Sequence, residues 1–493
     1  MLNRIKKVFS SDLGKSISSG YLLFFLNNVV ALFLTPYMLK FITKEEYGLY
    51  IMCVDFLAWV GFLEFGTSKV LESKAGHLIA QNNNKGLNTS FNTSLFFQII
   101  VSAIIFPLFF SLIYWGVDKP TVPHLEIIIV LFSLTASLTV FRNLFSALII
   151  ASKKIHLDNK IQIFTNILNY VLILLLAPFI GVVGLACITL LTLVLMLIRS
   201  NFRVKQLFPQ IKISFSSFDK EELKRIFSLG MYFSLGSIAT VLLLKIDSFV
   251  IGREFGLEMV ASFYITIKLY SLLQKVFQML LNNFRPHISQ LYGKFEYDKI
   301  REFYNSIAPL TIGIGIFGVA TIMIINPYFI KLWVGNGFYI SDNFNLIYGI
   351  WILLELYTFL IRIILIPSLY AVRAISTMKA IEAIFRVSLL FIILNRFGII
   401  ALPISSLLGS LFLGCVFFFF CLNKYFKEHQ EKGVNGTLLL LLVIISTSLI
   451  TMIYINQGYF FKYFLLIFGL LSTIYSVFFQ KKKLLNTLKT FMK

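Results

Sequence analysis

The sequence predicts an all-α integral membrane protein with about fourteen transmembrane helices. Its composition, the length of its apolar runs and the placement of its Lys and Arg residues predict this together. Of 493 residues, 58% are hydrophobic and only 14% charged, with mean hydropathy +0.84. Soluble domains carry about 25% charged residues, so this chain cannot solvate the surface of a globule of its size. Its four cysteines, Cys53, Cys187, Cys415 and Cys421, lie in apolar runs without metal-ligand spacing and read as small core or lipid-facing residues, with no disulfide framework implied.

A spanning helix takes about 20 apolar residues. Runs of that kind cover residues 17–40, 48–68, 91–115, 125–150, 160–180, 182–200, 227–251, 259–284, 304–325, 346–370, 379–396, 399–422, 437–456 and 461–479. Two of the divisions rest on single breaks, at Gly181 and at Phe397-Gly398, and merging either pair would invert every later orientation. The first run exceeds 20 residues, which marks a retained helix rather than a cleavable signal peptide. Lys6, Lys7 and Lys15 before it hold the N-terminus in the cytoplasm.

Positive charge tests the count. With the N-terminus inside, 31 of the 44 Lys and Arg residues fall in cytoplasmic segments. Seven lie in outer turns (Lys40, Lys44, Lys119, Arg253, Lys331, Arg396 and Lys462) and six inside spans. That asymmetry is the positive-inside pattern, and it accounts for the net charge of +21 without a nucleic-acid partner.

The longest cytoplasmic loop, Arg199 to Arg225, divides the chain. Residues 1–224 form an N-lobe of helices 1–6 and residues 225–436 a C-lobe of helices 7–12. Residues 437–493 add a C-terminal helical hairpin and a basic cytoplasmic tail. Glu46–Tyr50 lies over Val260–Tyr264, and Gly20 and Gly230 sit near corresponding starts. Six spans is an even number, so both lobes enter from one side, as pseudo-symmetric parallel repeats with the substrate between them.

A charge at bilayer depth costs about 2.5–3.5 kcal/mol on insertion scales, so such residues face protein or water. The basic set is Arg142, Lys245, Lys268, Lys275, Arg362 and Arg386; the acidic set is Asp55, Glu64, Asp247, Glu355 and Glu382. Lys268 and Lys275 lie two helical turns apart on one face, as do Glu355 and Arg362. Glu382 and Arg386 are spaced to pair with each other. One reading makes the six basic residues a cationic path for a diphosphate head group, since Arg suits bidentate phosphate contact and Lys acts as a point charge. The other makes Lys245 a snorkelling side chain and Arg386 a satisfied partner. Asp55 and Glu355 have no basic residue one turn away. They either couple transport to an ion or pair with a lysine on another helix. Pro36, Pro107, Pro178, Pro327, Pro367 and Pro403 lie in or at the ends of spans, as hinges or ordinary helix ends. Tyr21, Tyr170, Tyr264 and Tyr270 are candidates for lining a sugar path.

Leu34-Thr35-Pro36, Lys44-Glu45-Glu46-Tyr47-Gly48-Leu49-Tyr50 and Glu64-Phe65-Gly66 resemble the opening of polysaccharide flippases. These are the Wzx-type members of the multidrug/oligosaccharidyl-lipid/polysaccharide exporter superfamily. Asp247 resembles an aspartate common in the family's seventh span. Glu64-Phe65-Gly66, followed by Lys69 and Lys74, resembles its acidic-Phe-Gly signature, with Glu where Asp is commoner, and suits a gate of paired charges. The resemblance implies alternating-access transport of an undecaprenyl-diphosphate-linked oligosaccharide across the bacterial inner membrane, for O-antigen, capsule or exopolysaccharide synthesis. It implies membrane lipids and polysaccharide polymerase machinery as partners. Asp55, Glu64, Asp247 and Glu355 are the coupling or gating candidates, with Na⁺ or H⁺ as the ion and no bound cofactor.

Rival readings are an ion-coupled drug exporter of the same superfamily, a membrane glycan polymerase or ligase, and a non-transporting scaffold. Against an enzyme, no outer segment is long and rich in Arg or His, and no two histidines have ligand spacing. Gly14-Lys15-Ser16 lacks the glycine five residues earlier that a phosphate loop needs, since position 9 is Phe.

Overall fold

The computed structural model describes residues 12–117, 122–366, 372–432, 445 and 458–479. Apart from Ile445, the thirteenth predicted span lies outside them, as do Lys6, Lys7, Lys119, Pro367 and the basic C-terminal tail.

Among the described residues every regular element is helical. In chain order they are α1 (Asp12–Phe25), a π turn (Leu26–Val30), α2 (Ala31–Met38), α3 (Lys44–Leu57), α4 (Val60–Leu63), α5 (Thr67–Ala80), α6 (Asn84–Trp115), α7 (Leu125–Ala151) and α8 (Ile155–Leu207). There follow α9 (Lys220–Leu244), α10 (Asp247–Phe255), α11 (Leu257–Thr266), α12 (Lys268–Asn282), α13 (Arg285–Gly293), α14 (Tyr297–Trp333) and α15 (Asp342–Leu365). The chain continues through α16 (Val372–Phe397), α17 (Ala401–Gly409), a π turn (Ser410–Cys415), α18 (Val416–Glu428) and α19 (Gly458–Phe479).

Both predicted breaks are real reversals. As one straight rod, the 53 residues of α8 would run about 80 Å, far beyond a hydrocarbon core of about 30 Å. Gly181 instead takes φ +53°, ψ −153°, a conformation open essentially to glycine alone. Asn169 Nδ2 then donates to Thr192 Oγ1 at 3.2 Å, although 23 residues separate them. The same logic holds at Gly398. Arg386 Nε donates to Ser406 Oγ at 2.7 Å and Ser410 Oγ to Glu382 at 2.9 Å, which requires α16 and α17 to run back along each other.

Other predicted spans are interrupted where the sequence reads as continuous. The seventh breaks at Lys245-Ile246 between α9 and α10, and the eighth at Ile267 between α11 and α12. The second run ends at Leu63, and the chain then turns through Phe65 (φ +50°) and Gly66 (φ +61°) into α5. Hydropathy misses such breaks because they cost a few backbone hydrogen bonds while leaving side-chain polarity unchanged. Freed backbone groups must then find partners inside the protein.

The first compact unit is Met1–Ala261. Its best-formed core joins α5, α6, α7 and α8 through Leu71, Phe91, Leu144, Leu148 and Val204, all buried. Thr43 starts α3 with a reciprocal cap: its hydroxyl accepts from Glu46 N, while Glu46 returns a carboxylate to Thr43 N. One turn on, Gly48 lets α3 touch the start of α11, where a Cβ would stand 1.9 Å from the Leu257 carbonyl oxygen.

The second unit is Ser262–Lys493. α15 is its centre, with 20 of 24 residues buried, and a helix buried all round reads as apolar all round. α14 packs against both α15 and α19. Large apolar side chains elsewhere stand exposed, Phe33 at 73%, Phe179 at 82% and Leu332 at 88% among them, as lipid-facing residues should.

Replacing Gly48 by Val should destroy the α3–α11 contact at a cost of at least about 1–3 kcal/mol. Gly76→Ala, where nothing lies within 4 Å, should leave stability unchanged or slightly raised. Thermal unfolding of both variants in detergent checks the pair; equal melting temperatures would refute the close contact.

Candidate functional site

In the first unit, three of the predicted charges meet at two helix breaks. Lys245 lies in the break between α9 and α10, and its ammonium is paired with the Asp55 carboxylate near the end of α3. Ser248 Oγ donates to the Lys245 carbonyl at 3.3 Å, recovering a backbone acceptor that the break frees. Asp247 is buried at the first position of α10, where the positive end of the helix dipole favours a carboxylate. A second buried carboxylate thus stands two residues from the lysine of the Lys245–Asp55 pair.

Arg142 on α7 reaches Asp158 in the first turn of α8 at 3.2 Å, and Gln162 Nε2 donates to the same carboxylate at 2.8 Å. Glu64, 5% exposed, accepts from Ser68 Oγ at 2.9 Å and from Asn143 Nδ2 at 3.5 Å. The gate partners expected for it are engaged elsewhere. Lys69 pairs with Glu72 at 2.9 Å, and Lys74 with Glu222 on α9, whose carboxylate also accepts from Ser90 at 2.6 Å.

The second unit holds a larger network. Glu355 on α15 receives Arg362 at 3.2 Å from its own helix and Lys379 at 3.2 Å from α16. Lys379 also binds Glu382 at 2.9 Å, so one ammonium bridges two buried carboxylates. Ser410, in the π turn, donates to Glu382 at 2.9 Å, lies 3.4 Å from Glu355, and accepts from Trp351 Nε1 at 3.0 Å. Arg386, 1% exposed, bonds Ser406 and lies 5.8 Å from the Trp351 ring centroid. π turns are costly and gather at functional positions. Here the turn carries Ser410, whose hydroxyl touches both carboxylates.

Lys268 and Lys275 do share α12, with the Lys268 ammonium 4.9 Å from the centroid of the Tyr264 ring. Tyr270 is not a sugar-path residue. It is fully buried, and its hydroxyl donates to Asn345. Asn345 and Asn326 in turn serve the break between α11 and α12, where Asn326 Nδ2 donates to the Thr266 carbonyl at 2.9 Å.

The sequence pattern missed Lys379, Asp158 and Glu222, because all three lie in segments that read as cytoplasmic loops. Only Lys379 left a local signal, its three-residue spacing to Glu382 on one helix. Asp158 and Glu222 find their partners through folding alone.

The buried charges of this all-helical chain are neutralised internally, the Lys245–Asp55 pair at a helix break and the Glu355–Lys379–Glu382 group between continuous helices. The sequence model for the family described as "Polysaccharide biosynthesis protein" matches residues 37–339, and this chain belongs to that family. No curated protein matches it significantly in sequence. Among solved structures, the lipid II flippase MurJ in an inward closed conformation superposes with TM-score 0.68 at 13% identity, covering 94% of this chain and 98% of its own. An inward-facing multidrug resistance MATE family transporter of the MOP superfamily gives TM-score 0.64 at 17% identity, covering 83% and 95%. A MOP superfamily transporter from Pyrococcus furiosus gives 0.54 at 17%, covering 85% and 95%. The fold is therefore that of multi-pass transporters and flippases.

Lys379→Met should leave Glu355 and Glu382 without their shared cation and cost about 3–5 kcal/mol, the usual effect of breaking a buried pair. Adding Glu382→Gln should recover a large part of that loss. Thermal unfolding of the single and double variants measures the coupling, and additive losses would show that the ammonium does not bridge the carboxylates.

Proposed function

We propose that this protein moves undecaprenyl-diphosphate-linked oligosaccharide repeat units from the cytoplasmic to the periplasmic leaflet of the bacterial inner membrane. The glycan is a unit of O-antigen, capsule or exopolysaccharide, handed on to polymerase machinery. Both termini lie in the cytoplasm, and the working parts are the lobes 1–224 and 225–436, with 437–493 as a peripheral hairpin and tail. The observation that carries this reading is the set of buried cation–carboxylate pairs, Lys245–Asp55 at a helix break and Glu355 with Arg362 and Lys379, in a member of a polysaccharide biosynthesis family.

A diphosphate cannot enter hydrocarbon unaided, since an unpaired ion there costs many kcal/mol. A cation already held by a carboxylate is stable in the absence of substrate. It can then exchange that carboxylate for a phosphate oxygen without ever being left alone. Arg142, Lys245, Lys268, Lys275, Arg362 and Arg386 are the cations proposed to receive the diphosphate. Asp55, Glu64, Asp247 and Glu355 are proposed for gating or for coupling to Na⁺ or H⁺. A carboxylate released by its cation takes up a proton or a cation more readily, which ties substrate exchange to an ion gradient.

The alternative is an ion-coupled drug exporter, which the likeness to a multidrug resistance MATE transporter favours. The family match weighs against it. A glycan polymerase or ligase fits less well, because the solved structures that share this fold are a flippase and transporters.

A deletion strain separates these readings. Extracted lipid-linked oligosaccharides should accumulate as complete repeat units protected from an added periplasmic glycosidase. Complete but accessible units would indicate a polymerase or ligase, and an unchanged glycan-lipid pool with altered drug resistance an exporter. In the complemented strain, Lys268→Ala with Lys275→Ala should reduce surface polysaccharide at least tenfold at equal protein abundance. Wild-type polysaccharide would remove α12 from the cationic path.

A further inference from the structure

A second cationic feature lies apart from these pairs. Within the first unit, α5 and the start of α9 line an open cleft of about 860 Å³. Its floor is apolar, formed by Val70 of α5 with Ile226 and Leu229 of α9. Its polar wall holds Lys74, His77, Lys224 and Arg225, with Glu221 as the acidic member. Lys74 is neutralised by Glu222, as described above. Among the described residues, no ion pair is formed by Lys224 or Arg225, and both are exposed. The cleft therefore carries uncompensated positive charge beside apolar surface.

Its depth in the membrane follows from the sequence. The second apolar run stops at Leu63 in the structure, and the seventh begins near residue 227, so the basic wall falls at the membrane–water boundary. It lies on the side to which the positive-inside pattern assigns the cytoplasm. Phe227, Leu229 and Met231, 41%, 55% and 39% exposed, continue the apolar floor along α9. The volume lies within the range of about 300–1,000 Å³ usual for small-molecule sites.

We propose that this cleft is a binding site for an anionic glycerophospholipid of the bilayer. The head-group phosphate rests on Lys224 and Arg225, and the first part of an acyl chain lies over Val70, Ile226 and Leu229. A free phosphate would leave the apolar floor bare, whereas a zwitterionic phospholipid would leave the cationic wall uncompensated. The site is independent of the cations proposed to carry substrate, so transport of a glycan lipid is not a condition for it.

The test is native mass spectrometry of the full chain, titrated in detergent with phosphatidylglycerol or phosphatidylethanolamine. Wild-type protein should retain phosphatidylglycerol preferentially. Lys224→Gln with Arg225→Gln should weaken that retention about 10- to 30-fold, at about 1 kcal/mol for each basic residue near a lipid surface. The control Lys205→Gln with Lys294→Gln makes the same charge change at exposed positions outside the cleft and should retain wild-type binding. Equal loss in both variants would reduce the effect to general electrostatics and overturn the proposal. Displacement of the lipid by millimolar inorganic phosphate would make the cleft an ion site. Undecaprenyl phosphate outcompeting phosphatidylglycerol there would make it a docking site for the carrier lipid instead.

Discussion

The constraint on which this molecule depends is that nothing polar inside a hydrocarbon layer can be left to water. Ordinary spanning helices meet it by bonding their own backbone, but the helices of this chain are repeatedly broken, at Lys245-Ile246, at Ile267 and through the π turns at Leu26–Val30 and Ser410–Cys415. Such breaks free backbone groups, and at two of them side chains take these up. Ser248 bonds the Lys245 carbonyl and Asn326 the Thr266 carbonyl.

The same constraint organises the charges. A lone ammonium at this depth would either lose its proton or unfold its surroundings, so the protein places carboxylates beside it. Asp55 beside Lys245, and Glu355 with Glu382 around Lys379, are local solutions that each unit makes within itself. Such pairs add little net stability, because desolvation cancels much of the attraction. Under the proposed function they serve exchange: the partner of a buried cation is replaced by another anion at modest net cost. A pair of charges is a better switch than a strut.

The architecture was largely legible in the sequence, because hydropathy and the distribution of Lys and Arg respond to the bilayer rather than to neighbours in the fold. Even the reversals at Gly181 and Gly398 announced themselves, since a run too long for one crossing must fold back where glycine permits it. The local pair Glu355–Arg362 was equally visible, being two turns of one helix. What could not be read was which distant residue answers each charge. Lys379 and Asp158 look like loop residues by position, and Glu64 stands near two lysines in sequence that both turn elsewhere.

The sequence by itself therefore determined that this is a multi-spanning helical membrane protein with an excess of positive charge along its apolar segments. Tertiary structure alone decided how those charges are neutralised, where the helices give way, and that a basic cleft with an apolar floor lies beside α5 and α9. The physical reason is one of range. Hydropathy and helix length are properties of contiguous stretches, written in neighbouring residues. Neutralising an ion requires a partner within about 4 Å in space, and for Lys245 that partner is Asp55, 190 residues away in sequence.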